Sequence, residues 1–431
     1  MIALLIFLVF LFALMLSAPV SVSMLLGALA PIVSLEKGGS VVQLLYNVFS
    51  GANTTPLLAV PLFILSGVLM ARGGISRRLF NFFAFFVGRF PGGVPCAAIL
   101  TCLFYGAISG SGPAATAGVG AICIPFLTEL GYEKKWCAGL IAVAGGLGVI
   151  IPPSIPFVLY SVSAGGSTGE LFLGGILPGI LIGLFLMIYT SFYCIKHGED
   201  QELIDDHMQE LRSRGFISLF ADSFWALISP LIILGGIYSG FFTPTESATI
   251  SIVYALVISL FVYHSIRPKE LLSLLRDAVA NYTPLLFVLA FSTAFSRVLA
   301  LTRASDTIER FLLEHFHHAY LLLIILVIFF LLLGTVMDMA PAIIIIAPVL
   351  LPVIRELGIS SVHFGVILVC CLSIGMATPP FGRDLFVAAN IAQVEPREVS
   401  EYARPFMIAF LLALLLIVFV PAISSFLPSL L

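Results

Sequence analysis

Long apolar runs follow one another along almost the whole chain, parted by short polar corners. Most approach the roughly twenty residues a helix needs to cross a bilayer core of about 30 Å. Uninterrupted runs at about 56–70, 171–195, 217–240, 279–300 and 405–427 read as plain spans, while 39–55 alternates polar and apolar at helical spacing, as an interfacial or scaffold-packed helix does. Two regions break the pattern in the same way. One reads AISGSGPAATAGVGAICIPFLTELGYEKKWCAGLIAVAGGLGVIIPPSIP and the other GTVMDMAPAIIIIAPVLLPVIRELGISSVHFGVILVCCLSIGMATPPFG. Laying Gly131 on Gly358 also superposes Pro125 on Pro352, Glu129 on Glu356, Leu130 on Leu357 and Pro152-Pro153 on Pro379-Pro380, with one compensated slip. The chain therefore carries an internal repeat: a small-residue tip inside an apolar run, a polar corner, then a second run broken by Gly and Pro-Pro.

Backbone groups freed at such breaks find no partner in lipid and must line a cavity enclosed by protein. Interrupted segments in corresponding places of two halves are the sequence mark of a secondary transporter's binding site. Arg72, Arg77, Arg78 and Arg89 precede the first copy and Lys134 and Lys135 occupy its corner, so the positive-inside rule puts both on the cytoplasmic side. Residues between them, about 92–130, must leave and return on that side. This predicts a re-entrant hairpin with its tip at Ser109-Gly110-Ser111-Gly112, followed by a span at about 137–163 that is unwound from Gly145 to Pro153.

Thr243-Pro244-Thr245-Glu246 matches a capping box that opens a helix to about Tyr263, and Arg267, Lys269 and Arg276 then mark the cytoplasm again. The second hairpin, about 319–355 with its tip at Met337-Asp338-Met339-Ala340-Pro341, accordingly enters from the opposite face, and a broken span follows at about 362–390. The fold expected is an all-α polytopic membrane protein of two inverted repeats, each a re-entrant helical hairpin and a broken transmembrane helix. Its expected division is N-terminal scaffold segments (1–91), first transport repeat (92–170), scaffold and connecting helices (171–318), second transport repeat (319–392) and a C-terminal helix (393–431).

Composition agrees: 60% of residues are apolar, 10% are charged and the mean hydropathy is +1.15. A net charge of −3 without basic or acidic blocks implies no nucleic-acid partner. The seven cysteines lie mostly inside apolar runs without paired spacing, as small buried hydrophobes do. The one long polar stretch, KHGEDQELIDDHMQELRSRG, reads as a solvated linker between the halves, and HFHH at 315–318 as a wet interface. The run at 2–16 lacks a basic leader and continues past Pro19 to Leu35, as a retained membrane segment of one kinked span or two.

If both tips and both broken spans meet near mid-bilayer, their exposed carbonyls suit a hard cation such as Na⁺. Two sites follow from the repeat: Ser109, Ser111 and Gly112 with Gly145, Gly148 and Pro152, and Asp338 with Gly375, Thr378 and Pro379. Ser111 is laid on Asp338, so the first tip is expected to offer neutral oxygens and the second a carboxylate, although Asp338 also suits a helix cap. Ser154 and Arg383 are candidate substrate contacts, with an Arg383–Asp384 pair as the alternative for the arginine. No cofactor motif is present, and Na⁺ is the only metal expected. A channel would need a ring of repeated filters, and no Ser–His, Cys–His or His-x-x-x-His constellation supports an intramembrane enzyme.

Several segments resemble the large membrane subunit of tripartite ATP-independent periplasmic (TRAP) transporters: PLFILSGVLMARGGISRRL (61–79), GAISGSGPAATAGVGAICIP (106–125), GLGVIIPPSIPFVLYSVSAGGSTGELFLGGILPG (146–179), YSGFFTPTESA (238–248), GTVMDMAPAIIIIAPVLLPV (334–353) and IGMATPPFG (374–382). The resemblance implies a Na⁺-driven elevator-type importer of a small organic acid in a bacterial inner membrane. It also implies two partners, a small four-helix membrane subunit and a periplasmic substrate-binding protein, the former expected to dock on residues 2–70. Where the family commonly has Gly-Leu-Asn-Leu-Phe after the second Pro-Pro, this chain has Gly382-Arg383-Asp384-Leu385-Phe386. A binding-protein-independent Na⁺/carboxylate symporter shares the hairpins and broken spans and is the alternative.

Overall fold

The computed structural model describes residues 2–316 and 318–430, so His317 of the HFHH stretch lies outside the described residues. Every regular element among them is helical. Among the described residues seven helices are long and apolar enough to cross a membrane, eight if one bent pair counts as a span.

The N-terminal apolar run folds as two helices. Around Ser17, which adopts a φ of 62°, α1 (Ile2–Met15) and α2 (Val20–Leu35) double back, and a Cβ on Gly27 would sit 3.1 Å from the Ile6 carbonyl. Next, α3 (Val41–Ala52) begins where Ser40 Oγ accepts the Gln43 N–H, and it turns Val42, Tyr46 and Phe49 outward. The fourth and fifth helices, α4 (Ala59–Arg72) and α5 (Ile75–Val87), bend by 69° at Gly73-Gly74.

The first hairpin consists of α6 (Gly93–Ser109) and α7 (Gly112–Glu129), and the first broken helix of α8 (Lys134–Gly145) and α9 (Ile155–Ala164). After α10 (Thr168–His197) the polar stretch departs from expectation. It is a docked helix, α11 (Gln201–Ser213), capped by Asp200 and burying Ile204, Met208 and Leu211. Those three stand at helical spacing, an apolar stripe that the surrounding charges outnumber in sequence. Just before it, Glu199 accepts the Gly92 N–H at 3.0 Å and the Tyr132 hydroxyl, which ties the linker to the base of the first hairpin.

Beyond α12 (Phe216–Tyr238), α13 (Pro244–Val257) opens with the expected capping box: Thr243 Oγ1 accepts the Glu246 N–H and Glu246 Oε2 accepts the Thr243 N–H at 2.8 Å. A following π-turn carries the helix to Val262. The span expected from 279 starts earlier, as α14 (Leu271–Leu301), because its first turns are amphipathic rather than uniformly apolar, and the short α15 (Ala304–His315) follows. The second hairpin is α16 (Ala319–Val336) with α17 (Met339–Glu356), and the second broken helix is α18 (Ser361–Gly375) with α19 (Arg383–Ala392). The chain ends with α20 (Pro396–Phe419), which runs through Pro405, and α21 (Ala422–Ser425).

Packing crosses between the repeats. From the second repeat, α19 lies on α7 and α8 of the first, while α9 of the first lies on α17 of the second. At the junction the buried Ser373 hydroxyl donates to the Gly146 carbonyl at 2.8 Å. The superposition that lays Gly131 on Gly358 also lays Gly146 on Ser373, so equivalent points of the two copies touch. Around this unit, α2, α3 and α4 pack on α14, and α12 packs on α5 and α13.

Candidate functional site

At the first tip the chain turns at Gly110, whose φ of 62° favours glycine, and the Gly110 carbonyl accepts the Ile155 N–H at 3.2 Å. Gaps between hairpin and broken helix are too small for side chains. A Cβ on Gly106 would lie 2.5 Å from Gly148 Cα, one on Gly110 2.7 Å from the Pro153 carbonyl, and one on Gly148 2.9 Å from the Ser111 carbonyl. Gly145 likewise faces Thr116 Oγ1. Gly148 therefore meets Ser111, with Ser109 and Gly112 beside it on the tip, while Gly145 and Pro152 lie on the facing break, Gly145 against Thr116. Ser109 Oγ donates to the Ser111 carbonyl at 3.4 Å. Ser154 is wholly buried and committed to the start of α9, accepting the Phe157 N–H at 3.4 Å and donating to the Val149 carbonyl.

The second cluster repeats the crossing: a Cβ on Gly375 would lie 2.5 Å from Gly334 Cα, and the Thr335 carbonyl accepts the Phe381 N–H at 3.2 Å. Thr378 Oγ1 donates to the Ile374 carbonyl at 2.8 Å. Both Pro152-Pro153 and Pro379-Pro380 are joined by cis bonds. Gly375, Thr378 and Pro379 thus line one break, with Asp338 at the facing tip.

The charges are arranged differently from the expected Arg383–Asp384 alternative. Arg383 Nη1 donates to Asp338 Oδ2 at 2.9 Å, while Asp338 Oδ1 accepts the Met339 N–H at 2.7 Å. Asp384 turns away from its neighbour into the interior, its backbone N–H held by the Met376 carbonyl at 2.9 Å. Successive helical residues project in different directions, so adjacency in sequence does not make a pair. Thr116, which faces the first break, went unnoticed because a lone threonine in an apolar helix carries no signal of its own.

The sequence pattern of the family described as the tripartite ATP-independent periplasmic transporter, DctM component, matches residues 7–423. The isethionate TRAP transporter permease protein DctMQ of Oleidesulfovibrio alaskensis is 37% identical over 96% of this chain, which spans 64% of that relative's length. The C4-dicarboxylate TRAP transporter large permease protein DctM of Pseudomonas aeruginosa is 35% identical, with 90% of each chain covered. Among solved structures, the YdaH transporter of Alcanivorax borkumensis shares the fold at a TM-score of 0.60 and 16% identity, covering 90% of this chain and 86% of that one.

Proposed function

This chain belongs to the family of DctM components, the large multi-pass membrane permeases of TRAP transporters, and we propose that it is the Na⁺-coupled subunit of a bacterial inner-membrane importer. Its cargo is a small organic acid delivered by a periplasmic binding protein, and a small four-helix membrane subunit completes the assembly. The observation that carries the reading is the pair of hairpin tips set against two carbonyl-lined breaks. Such breaks supply the oxygen ligands a hard cation needs without a transition-metal donor set.

One ion site is assigned to Ser109, Ser111, Gly112, Gly145, Gly148 and Pro152, and the other to Asp338, Gly375, Thr378 and Pro379. With the Ser154 hydroxyl spent on the α9 cap, the substrate's acid group is assigned to Arg383, whose planar fork suits a carboxylate and which would exchange its contact with Asp338 for the substrate, freeing Asp338 for the cation. Isethionate, C4-dicarboxylates, 2,3-diketo-L-gulonate and sialic acid, for which relatives are named, all carry an acidic group. Residues 92–170 and 319–392 would move together as the transport unit, elevator fashion, against a scaffold of 1–91, 171–318 and 393–431. The outward face of α3, with Val42, Tyr46 and Phe49, is assigned to the small subunit, and a crosslinker at Phe49 that captures no membrane partner counts against it.

Uptake into proteoliposomes under Na⁺, K⁺ or proton gradients tests the coupling. Transport is expected only with Na⁺ and only with the cognate binding protein. Full transport on a proton gradient alone overturns the ion assignment, and full Na⁺-driven uptake without a binding protein favours the simpler symporter.

A further inference from the structure

Among the described residues Asp384 is the only carboxylate that the fold buries completely. Neither of its side-chain oxygens has a hydrogen-bond partner. It belongs to the second repeat, at the start of α19, yet it faces the first hairpin: a Cβ on Gly112 would lie 2.9 Å from Asp384 Oδ2. One turn along the same face of α7, Thr116 Oγ1 is also buried without a partner, against Gly145 of α8. Two orphaned groups, a carboxylate and a hydroxyl, thus flank the first turn of α7.

An uncompensated charge taken out of water is strongly unfavourable unless a counter-charge reaches it. Its neighbour in sequence does not supply one, because the Arg383 guanidinium is held by Asp338 at 2.9 Å. The free N–H groups at the start of α7 place partial positive charge beside these two groups. A cation held there by neutral oxygens alone would feel that charge unopposed, and a carboxylate cancels it.

We propose that Asp384 is the charged ligand of the cation at the first tip, with the Thr116 hydroxyl a neutral ligand beside it. The inference rests on the Na⁺-coupled reading and changes its charge assignment: the broken helix of the second repeat serves the tip of the first. One carboxylate with neutral oxygens balances a single positive charge, and no group of three or more His, Cys, Asp or Glu occurs among the described residues to hold a multivalent metal. The ligand class is therefore a hard monovalent cation. Because α7 and α19 come from opposite copies, ion occupancy fastens the two repeats together.

Thermal unfolding of the full chain in detergent, titrated with NaCl against choline chloride at constant ionic strength, reads binding without transport, and ²²Na⁺ binding reads it directly. Asp384→Asn is expected to raise the Na⁺ midpoint about tenfold or more, and Thr116→Val about threefold, since a lost charge outweighs a lost dipole. A wild-type response that Asp384→Asn leaves unchanged overturns this inference alone. No Na⁺ response in the wild type overturns it together with the Na⁺-coupled reading. If Asp384→Asn does not fold, Thr116→Val decides, and its unchanged midpoint is the overturning result.

Discussion

At the first break Pro152, Pro153 and Ser154 are all buried, and so are Ser109, Gly110 and Gly112 of the tip they face; at the second break Pro379, Pro380 and Phe381 are exposed, as is Asp338 opposite them. The two regions share a motif, a backbone crossing at paired glycines and a hydrogen bond from broken helix to hairpin. They differ in what covers them and in where charge is left. The second tip carries a carboxylate in its own sequence, but Arg383 neutralises it. The first tip has none in its sequence, and the fold brings Asp384 to it from the other copy. Repeated local structure therefore does not imply repeated chemistry.

The largest effects are expected where the crossing is tightest. Gly106→Ala and Gly375→Ala each push a Cβ to 2.5 Å from facing backbone, so each should cost about 3 kcal/mol of stability. Gly334→Ala, the counterpart of Gly106 in the second copy, places its Cβ 3.1 Å from Gly375 Cα and should cost about 1 kcal/mol. Thermal unfolding of the purified variants compares them, and equal small losses at all three positions would remove the claim that Gly106 and Gly375 are the tightest points of the two crossings.

Next comes the contact between equivalent points. Ser373→Ala leaves the buried Gly146 carbonyl without its 2.8 Å donor and should cost about 1–3 kcal/mol. Hydrogen exchange should rise around Gly146 in the first copy, more than two hundred residues away in sequence. A rise confined to α18 would show that the two breaks are not mechanically joined.

A double-mutant cycle on Asp338 and Arg383 sharpens the contrast in charge. Both side chains are about half exposed, so their coupling should be about 0.2–1 kcal/mol and should shrink with added salt. A coupling several times larger would mean that the second tip closes over its ion pair and resembles the first.

The smallest effect concerns the linker helix that only the first hairpin possesses. Burial against Phe126 holds the His207 imidazole below its ordinary value of 6.5. The folded state thus favours the neutral ring, and the unfolded state binds the proton more readily. This contribution is fully present above about pH 6.5 and is lost as pH falls through the lowered folded value. Amides of α11 should exchange faster at pH 5.5 than the chemical rate alone predicts, and His207→Phe should abolish the excess. An excess that survives the substitution assigns it to another group.

Much of the scaffold was legible because its signals are contiguous. The capping box at Thr243 and Glu246, the glycine-rich breaks and the tips all formed where the pattern put them. The linker helix was not legible as such, since Ile204, Met208 and Leu211 are three apolar residues among charges and only a docking surface gives their spacing meaning. The Arg383–Asp384 pairing looked plausible for a similar reason: sequence displays neighbours along the chain and hides direction around a helix.

By itself the sequence determined which segments are too apolar for water, where glycine and proline interrupt them, and that the interruption occurs twice. Each of these is set by transfer free energy and backbone sterics within a few adjacent residues. Only the tertiary structure decided which charge is neutralised and which is stranded. Asp338 meets Arg383, and Asp384 meets Gly112, across separations that no local term encodes. The first pairing joins the tip and the broken helix of one copy; the second follows from the crossed packing of α19 on α7, where the missing side chain of Gly112 leaves room for one copy's carboxylate at the other's tip.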